Sequence, residues 1–182
     1  IDLAVHSMKD IPADENSELS IGCWLERFDH RDAILCNENI QSISDLSKNS
    51  IIGTSSIRRR SQIINLRNDL SIKSLRGNVD TRIKKLTEKK FDAIILSVAG
   101  LKRLSLEHLI SFIFSENEML PASCQGAIGI QIKLDNDNLK SFLSPLNHQL
   151  TEDLCTIERN VLMGIKANCN SPIGILATNE NN

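Results

Sequence analysis

The chain has 182 residues, of which 41% are apolar and 24% charged, and a net charge of −2, values that fit an ordinary globular protein of one large or two small domains. The slightly acidic balance and an aromatic content of 3%, with no tyrosine and one tryptophan, exclude a general nucleic-acid binder. No apolar run is long enough to span a bilayer, and the five cysteines include no CxxC pair, which argues for reduced thiols in a cytosol rather than disulfides or a zinc site.

Ile1 to Val5 alternates as a strand and runs into His6-Ser7-Met8-Lys9-Asp10-Ile11-Pro12. Pro12 turns the residue before it away from helix, so the polar residues sit in a turn at a strand's carboxyl end, where open α/β sheets bind ligands. Lys9 beside Asp10 reads equally as an exposed ion pair, and His6 as a satisfied core histidine. Residues 20–36 read as strand, charged connector, strand, and the connector is a candidate domain crossover. Gln41 to Asn49 is polar, with Ser44 as the cap of a short helix.

Ile51-Ile52-Gly53-Thr54-Ser55-Ser56-Ile57-Arg58-Arg59-Arg60 reads as a buried strand, a tight turn and a helix capped by a hydroxyl. Free N–H groups at such a helix start make an anion seat. Three arginines in the first turn oppose the helix dipole, so something negative must compensate them; the bland alternative is a solvated basic face. Ser71 to Leu75 follows as a strand, Val79 to Lys90 as a helix, Asp92 to Val98 as an apolar strand, and Ala99 to Leu104 as the start of another helix. This β-α-β-α-β order over 51–98 predicts a parallel sheet. Arg58, Arg59, Arg76, Arg82 and Arg103 all lie at or just after strand ends, which predicts one rim suited to a polyanion rich in carboxylates.

Leu120 to Gly126 is a loop, Ala127 to Leu134 a strand and Asp135 to Asn147 a helix. Thr151 to Ile165 is a stronger helix, capped by Thr151, with Leu154, Ile157, Val161 and Ile165 as its apolar stripe. Cys169 follows in a polar loop, and by its neighbours alone it reads as an inert thiol.

Five motifs in order resemble the hydroxymethylbilane synthase (porphobilinogen deaminase) family: Val5-His6-Ser7-Met8-Lys9-Asp10, Gly53-Thr54-Ser55-Ser56-Ile57-Arg58-Arg59, Ser74-Leu75-Arg76-Gly77-Asn78-Val79, Ala99-Gly100-Leu101-Lys102-Arg103-Leu104, and Cys169 ahead of Pro172-Ile173-Gly174. The resemblance implies a three-domain α/β fold whose first two domains are periplasmic-binding-protein-like. Residues 1–26 and 122–146 would belong to domain 1, 32–118 to domain 2, and 149–182 would open domain 3. Because the chain opens inside one strand and closes on another, it is expected to be an internal piece that lacks the N-terminal segment and most of the third domain.

The implied activity is a transferase that deaminates porphobilinogen and joins four molecules into hydroxymethylbilane on a dipyrromethane cofactor, held by a thioether to Cys169. Asp10 would be catalytic. Lys9, Ser7, Ser56, Arg58, Arg59, Arg76, Gly77 and Arg82 would hold the cofactor, Arg103 and Gln125 the substrate, and no metal is expected. The protein would be a cytoplasmic monomer with a small-molecule substrate and neither nucleic acid nor membrane as partner. The sequence departs from the family pattern at Ala167 and Asn168, where glycines are usual, at Ser171, and at Cys124, where glycine is common. A two-domain small-anion-binding protein without catalysis is the competing reading; the want of a signal peptide and the presence of Asp10 weigh against it.

Overall fold

The computed structural model describes residues 1–13, 18–167 and 171–179, which form an α/β protein of two compact units. The first unit takes its described residues from Ile1–His30, Ala122–Cys169 and Ile175–Asn182, the second from Arg31–Pro121 and Asn170–Gly174.

In the first unit β1 (Leu3–Ser7), β2 (Leu19–Trp24) and β8 (Ile128–Lys133) make an antiparallel sheet in the order β1-β8-β2. Val5 opposes Ile130 and Ser7 opposes Ile128, and the β2–β8 register shifts at Gly22, between Ile21 and Cys23. One core gathers Met8, Trp24, Cys124, Ala127 and Cys155; another gathers Cys23, Ile130, Ile132 and Leu143. The stretch expected as one helix over 135–147 is α4 (Asp137–Leu143), capped by Asn136, followed by a short 3₁₀ turn at Ser144–Leu146 where Pro145 breaks the α pattern.

Helix α5 (Gln149–Gly164) corrects two expectations. Its cap is His148, whose Nδ1 accepts from the Thr151 N–H at 3.3 Å, while Thr151 lies two residues inside the helix, buried. The predicted apolar stripe is not the buried face: Ile157 and Ile165 are each 53% exposed, and the buried residues are Thr151, Cys155 and Glu158. Periodicity favoured the apolar positions, yet a buried glutamate is tolerable once a cation pairs with it, and Arg27 does so at 2.7 Å. This helix, expected to open a third domain, packs in the first unit through those residues.

In the second unit five strands run in the order β5-β4-β6-β3-β7, with β3 at Asp32–Cys36, β4 at Ile51–Gly53, β5 at Ser71–Lys73, β6 at Ala93–Ser97 and β7 at Phe112–Ile113. The three strands from 51 to 98 are parallel as their connections require, and β3 and β7 extend the sheet antiparallel. Alternation along β3 and β6 feeds two cores. Ile34 and Ile95 join Ile52, Ile63 and Phe114 on one face; Ala33, Leu35, Ile94 and Leu96 join Leu86 and Leu101 on the other. Helix α1 (Ile57–Leu66) contributes Ile63 to the first core, while α2 (Val79–Thr87) and α3 (Val98–Arg103) contribute Leu86 and Leu101 to the second. α2 stops short of the expected Lys90 because Lys89 turns left-handed, with φ of 55°, and sends Phe91 into the core. The short 3₁₀ helix Ile43–Asp45 is capped by Ser42 rather than Ser44, in a reciprocal box with Asp45.

Candidate active site

The two units each carry a group of the residues singled out above. In the first, β1 ends at Ser7 and the chain tightens into a 3₁₀ turn, Met8–Asp10. Met8 anchors this turn: it is buried, its N–H donates to the Ala127 carbonyl at 3.1 Å, and Gly129 lacks the Cβ that would strike its sulfur. With Met8 pinned, Asp10 is left exposed. The ring Nε2 of His6 is buried with no hydrogen-bond partner among the described residues.

Gln125 lies in the loop that leads into β8, and since Ser7 opposes Ile128, loop and turn share one end of the sheet. The Gln125 side chain is buried and its Nε2 donates to the His30 carbonyl at 2.7 Å. Arg27 holds this loop from below, donating from Nε to the Gln125 carbonyl at 2.9 Å and from Nη1 to Glu158 at 2.7 Å. Cys124 adopts φ of 56°, a left-handed conformation that explains why glycine would suit that position.

In the second unit the strand–turn–helix of residues 51–66 is built as the sequence predicts. Ser56 caps α1, its hydroxyl accepting from the Arg59 N–H at 3.3 Å, and the Ser55 hydroxyl donates to the Leu75 carbonyl at 2.8 Å. Arg58 and Arg59 are not part of a solvated face, although Arg60 is exposed. Arg58 and Arg59 are only 4% and 6% exposed, and both reach the carboxylate of Asp32, itself 0% exposed, at 2.8 and 2.6 Å. Arg58 also donates to the Leu120 carbonyl and Arg59 to the Ile95 carbonyl. Burial alone would raise the Asp32 carboxyl, but Arg59 and Arg58 beside it hold it down to about 2.

One carboxylate between two guanidiniums leaves a positive surplus, and Arg82 adds to it. Burial and then the Arg59 charge push the Arg82 guanidinium below its ordinary value, so the two cations feel each other. Arg82 Nε donates to the Gly77 carbonyl at 2.7 Å, and Lys85 Nζ to the Arg76 carbonyl at 3.0 Å, fixing the turn between β5 and α2. Gly77 has φ of 123°, where a side chain would be strained and would press on Thr81. The Nε of Arg59 is buried without a partner among the described residues. Arg103 stands at the last position of six-residue α3, a helix length beyond the end of β6. Cys169 lies outside the described residues.

Asp32 is the residue of this cluster that sequence reasoning missed. The requirement for a compensating anion was readable in Arg58-Arg59-Arg60, but its source, 26 residues earlier, was not. The available signal was a charged residue opening the apolar run Ala33-Ile34-Leu35.

Comparison with known proteins settles the family. Residues 1–141 match the family model described as porphobilinogen deaminase, dipyromethane cofactor binding domain. The chain belongs to the porphobilinogen deaminase family. Over 181 residues it is 42% identical to the porphobilinogen deaminase of Chlorobium phaeovibrioides (strain DSM 265 / 1930), an alignment that covers 100% of this chain and 58% of that protein. The chain thus spans less than two thirds of that relative's length. Among solved structures, the VFT2 domain of Bordetella pertussis BvgS aligns at 10% identity and a TM-score of 0.48, covering 90% of this chain and 67% of that one. The arginine-specific periplasmic binding protein STM4351 of Salmonella typhimurium aligns at 12% identity and a TM-score of 0.40, covering 81% and 66%.

Proposed function

We propose that this chain carries the cofactor- and substrate-binding core of a transferase that deaminates porphobilinogen and joins four molecules head to tail into hydroxymethylbilane. The observation that carries this reading is the guanidinium cluster of the second unit, where Arg58 and Arg59 share the one carboxylate of Asp32 and Arg82 feels the charge of Arg59. A positive surplus of planar forks is matched by carboxylates, which guanidinium binds bidentately. The acetate and propionate arms of pyrrole rings are such ligands.

The residues fit dipyrromethane, whose two rings carry those arms: the unpartnered Arg59 Nε supplies a buried donor turned to no protein acceptor among the described residues. When bound, dipyrromethane supplies the pyrrole carbon from which the chain grows. Arg58, Arg59, Arg76, Arg82, Ser56 and Gly77, with Ser7 and Lys9, hold the carboxylates and fix ring orientation; Arg103 and Gln125 serve the incoming substrate. Asp10, exposed at the end of its pinned turn, steadies by charge the cation left when the substrate's aminomethyl arm loses ammonia, and takes up protons released from pyrrole. Cys169 is the attachment thiol, through a thioether.

The two units answer to the first and second domains of the family in this reading. Residues 149–182 open the third domain in this reading, with α5 packed in the first unit. The protein acts as a cytoplasmic monomer on a small-molecule substrate, with neither nucleic acid nor membrane as partner; no helix among the described residues is long and apolar enough to cross a membrane. Incubating the intact protein with porphobilinogen, oxidising the product and recording porphyrin absorbance tests the activity. Porphyrin formed in proportion to enzyme supports it, and binding of porphobilinogen with no porphyrin would favour a non-catalytic anion-binding protein instead.

A further inference from the structure

We propose that Cys124 and Cys155 form a redox-modification site, a buried dithiol that closes to an intramolecular disulfide and ties the Gln125 loop to α5. The sulfurs of both residues and a carboxylate oxygen of Glu158 lie within 4.8 Å of one another. All three residues are buried, in a core otherwise made of Met8, Trp24 and Ala127. Nothing in the backbone calls for cysteine at position 124: φ is 56°, a conformation that glycine adopts at least cost. The thiol there is aimed at its partner helix, with Sγ donating to the Cys155 carbonyl at 3.5 Å and lying 3.4 Å from Ser123 Oγ.

A metal centre is the poorer use of this cluster. Glu158 already accepts from Arg27, from the Cys124 N–H and from the Ala177 N–H. That leaves two sulfurs, short of the four ligands of a structural zinc. The contact between the two thiols holds Cys124 below its ordinary value, against burial and the charge of Glu158, and with burial raises Cys155. Cys124 sits in a loop and Cys155 inside α5, so opening of the loop frees Cys124 first, as the attacking thiolate, with Cys155 the resolving thiol.

The oxidant is a low-molecular-weight disulfide. The Cys124 thiolate attacks one of its sulfurs, making a mixed disulfide and expelling one thiolate. Cys155 then gives up its proton, attacks the Cys124 sulfur and expels the second. Two protein thiols lose two electrons, the small disulfide gains them, and the two protons pass to the two small thiolates. Because both sulfurs are buried, local opening of the loop gates the first attack.

The test incubates the intact, native protein with excess oxidised glutathione, blocks remaining thiols with iodoacetamide and digests without reductant. The expected result is a Cys124–Cys155 cross-linked peptide, lighter by two hydrogens than the sum of its parts and abolished by dithiothreitol. Cys124→Gly, which the backbone accepts, is expected to fold and lose the cross-link; Cys155→Ser is expected to trap glutathione on Cys124. Half-buried Cys36 reports that oxidant was present. The proposal is overturned if Cys36 carries glutathione while Cys124 and Cys155 both remain free thiols, or if wild-type Cys124 keeps glutathione without forming the cross-link.

Discussion

Asp32 joins two adjacent guanidiniums that would otherwise repel each other at the positive end of α1. Removing one partner of a buried ion pair costs about 3–5 kcal/mol, so Asp32→Asn in the intact protein is expected to lose stability of that order in urea denaturation. The same carboxylate predicts a pH dependence. Its folded value, about 2, lies below the ordinary 3.8. It therefore contributes stability that is fully present above the ordinary value and lost as the pH falls towards 2. Linkage puts that contribution at about 2 kcal/mol. Denaturation midpoints measured from roughly pH 5 down to pH 2 are expected to fall for wild type and stay flatter for Asp32→Asn; parallel curves would contradict it. Under the proposed function Asp10 is assigned to the chemistry instead. Asp10→Asn is expected to fold normally, since the residue is exposed and Met8 anchors its turn, yet to lose roughly a hundredfold in turnover, about 3 kcal/mol of barrier. Turnover near wild type would remove Asp10 from that role.

At the level of single elements, sequence and structure agree where local chemistry decides. The Ser56 cap is such a case, because a hydroxyl before a helix start has one N–H within reach; Ser56→Ala is expected to cost about 1 kcal/mol in the same denaturation measurement. The parallel run over 51–98 was legible because its connections leave one handed solution. What escaped the sequence were partnerships across long separations. β3 and β7 join the sheet antiparallel through pairings that no local pattern announces. α5 turns Thr151, Cys155 and Glu158 inward because Arg27, 131 residues from Glu158, neutralises the buried acid. An apolar stripe is a weaker guide than a fixed ion pair in that setting. The basic cluster shows the same limit: three arginines announced a need for anions, and only the fold showed that part of that need is met by Asp32 inside the protein.

For the molecule as a whole, the account is a division of labour. The first unit holds Asp10 and Gln125 at one end of its sheet, and the second gathers guanidiniums at the starts of α1 and α2. Under the proposed function each contributes residues for a cofactor whose anchor is assigned to Cys169. A thiolate is the strongest side-chain nucleophile near neutral pH, and the thioether it forms resists reduction, as a permanent anchor in a reducing compartment must. Mass spectrometry of the intact protein, isolated after exposure to porphobilinogen and then denatured with reductant, tests this most directly. The account predicts a dipyrromethane-sized increment that survives both treatments, maps to the peptide containing Cys169, and is absent from Cys169→Ser but present in Cys23→Ser and Cys36→Ser. An increment on another cysteine, one released by reductant, or none at all would contradict it.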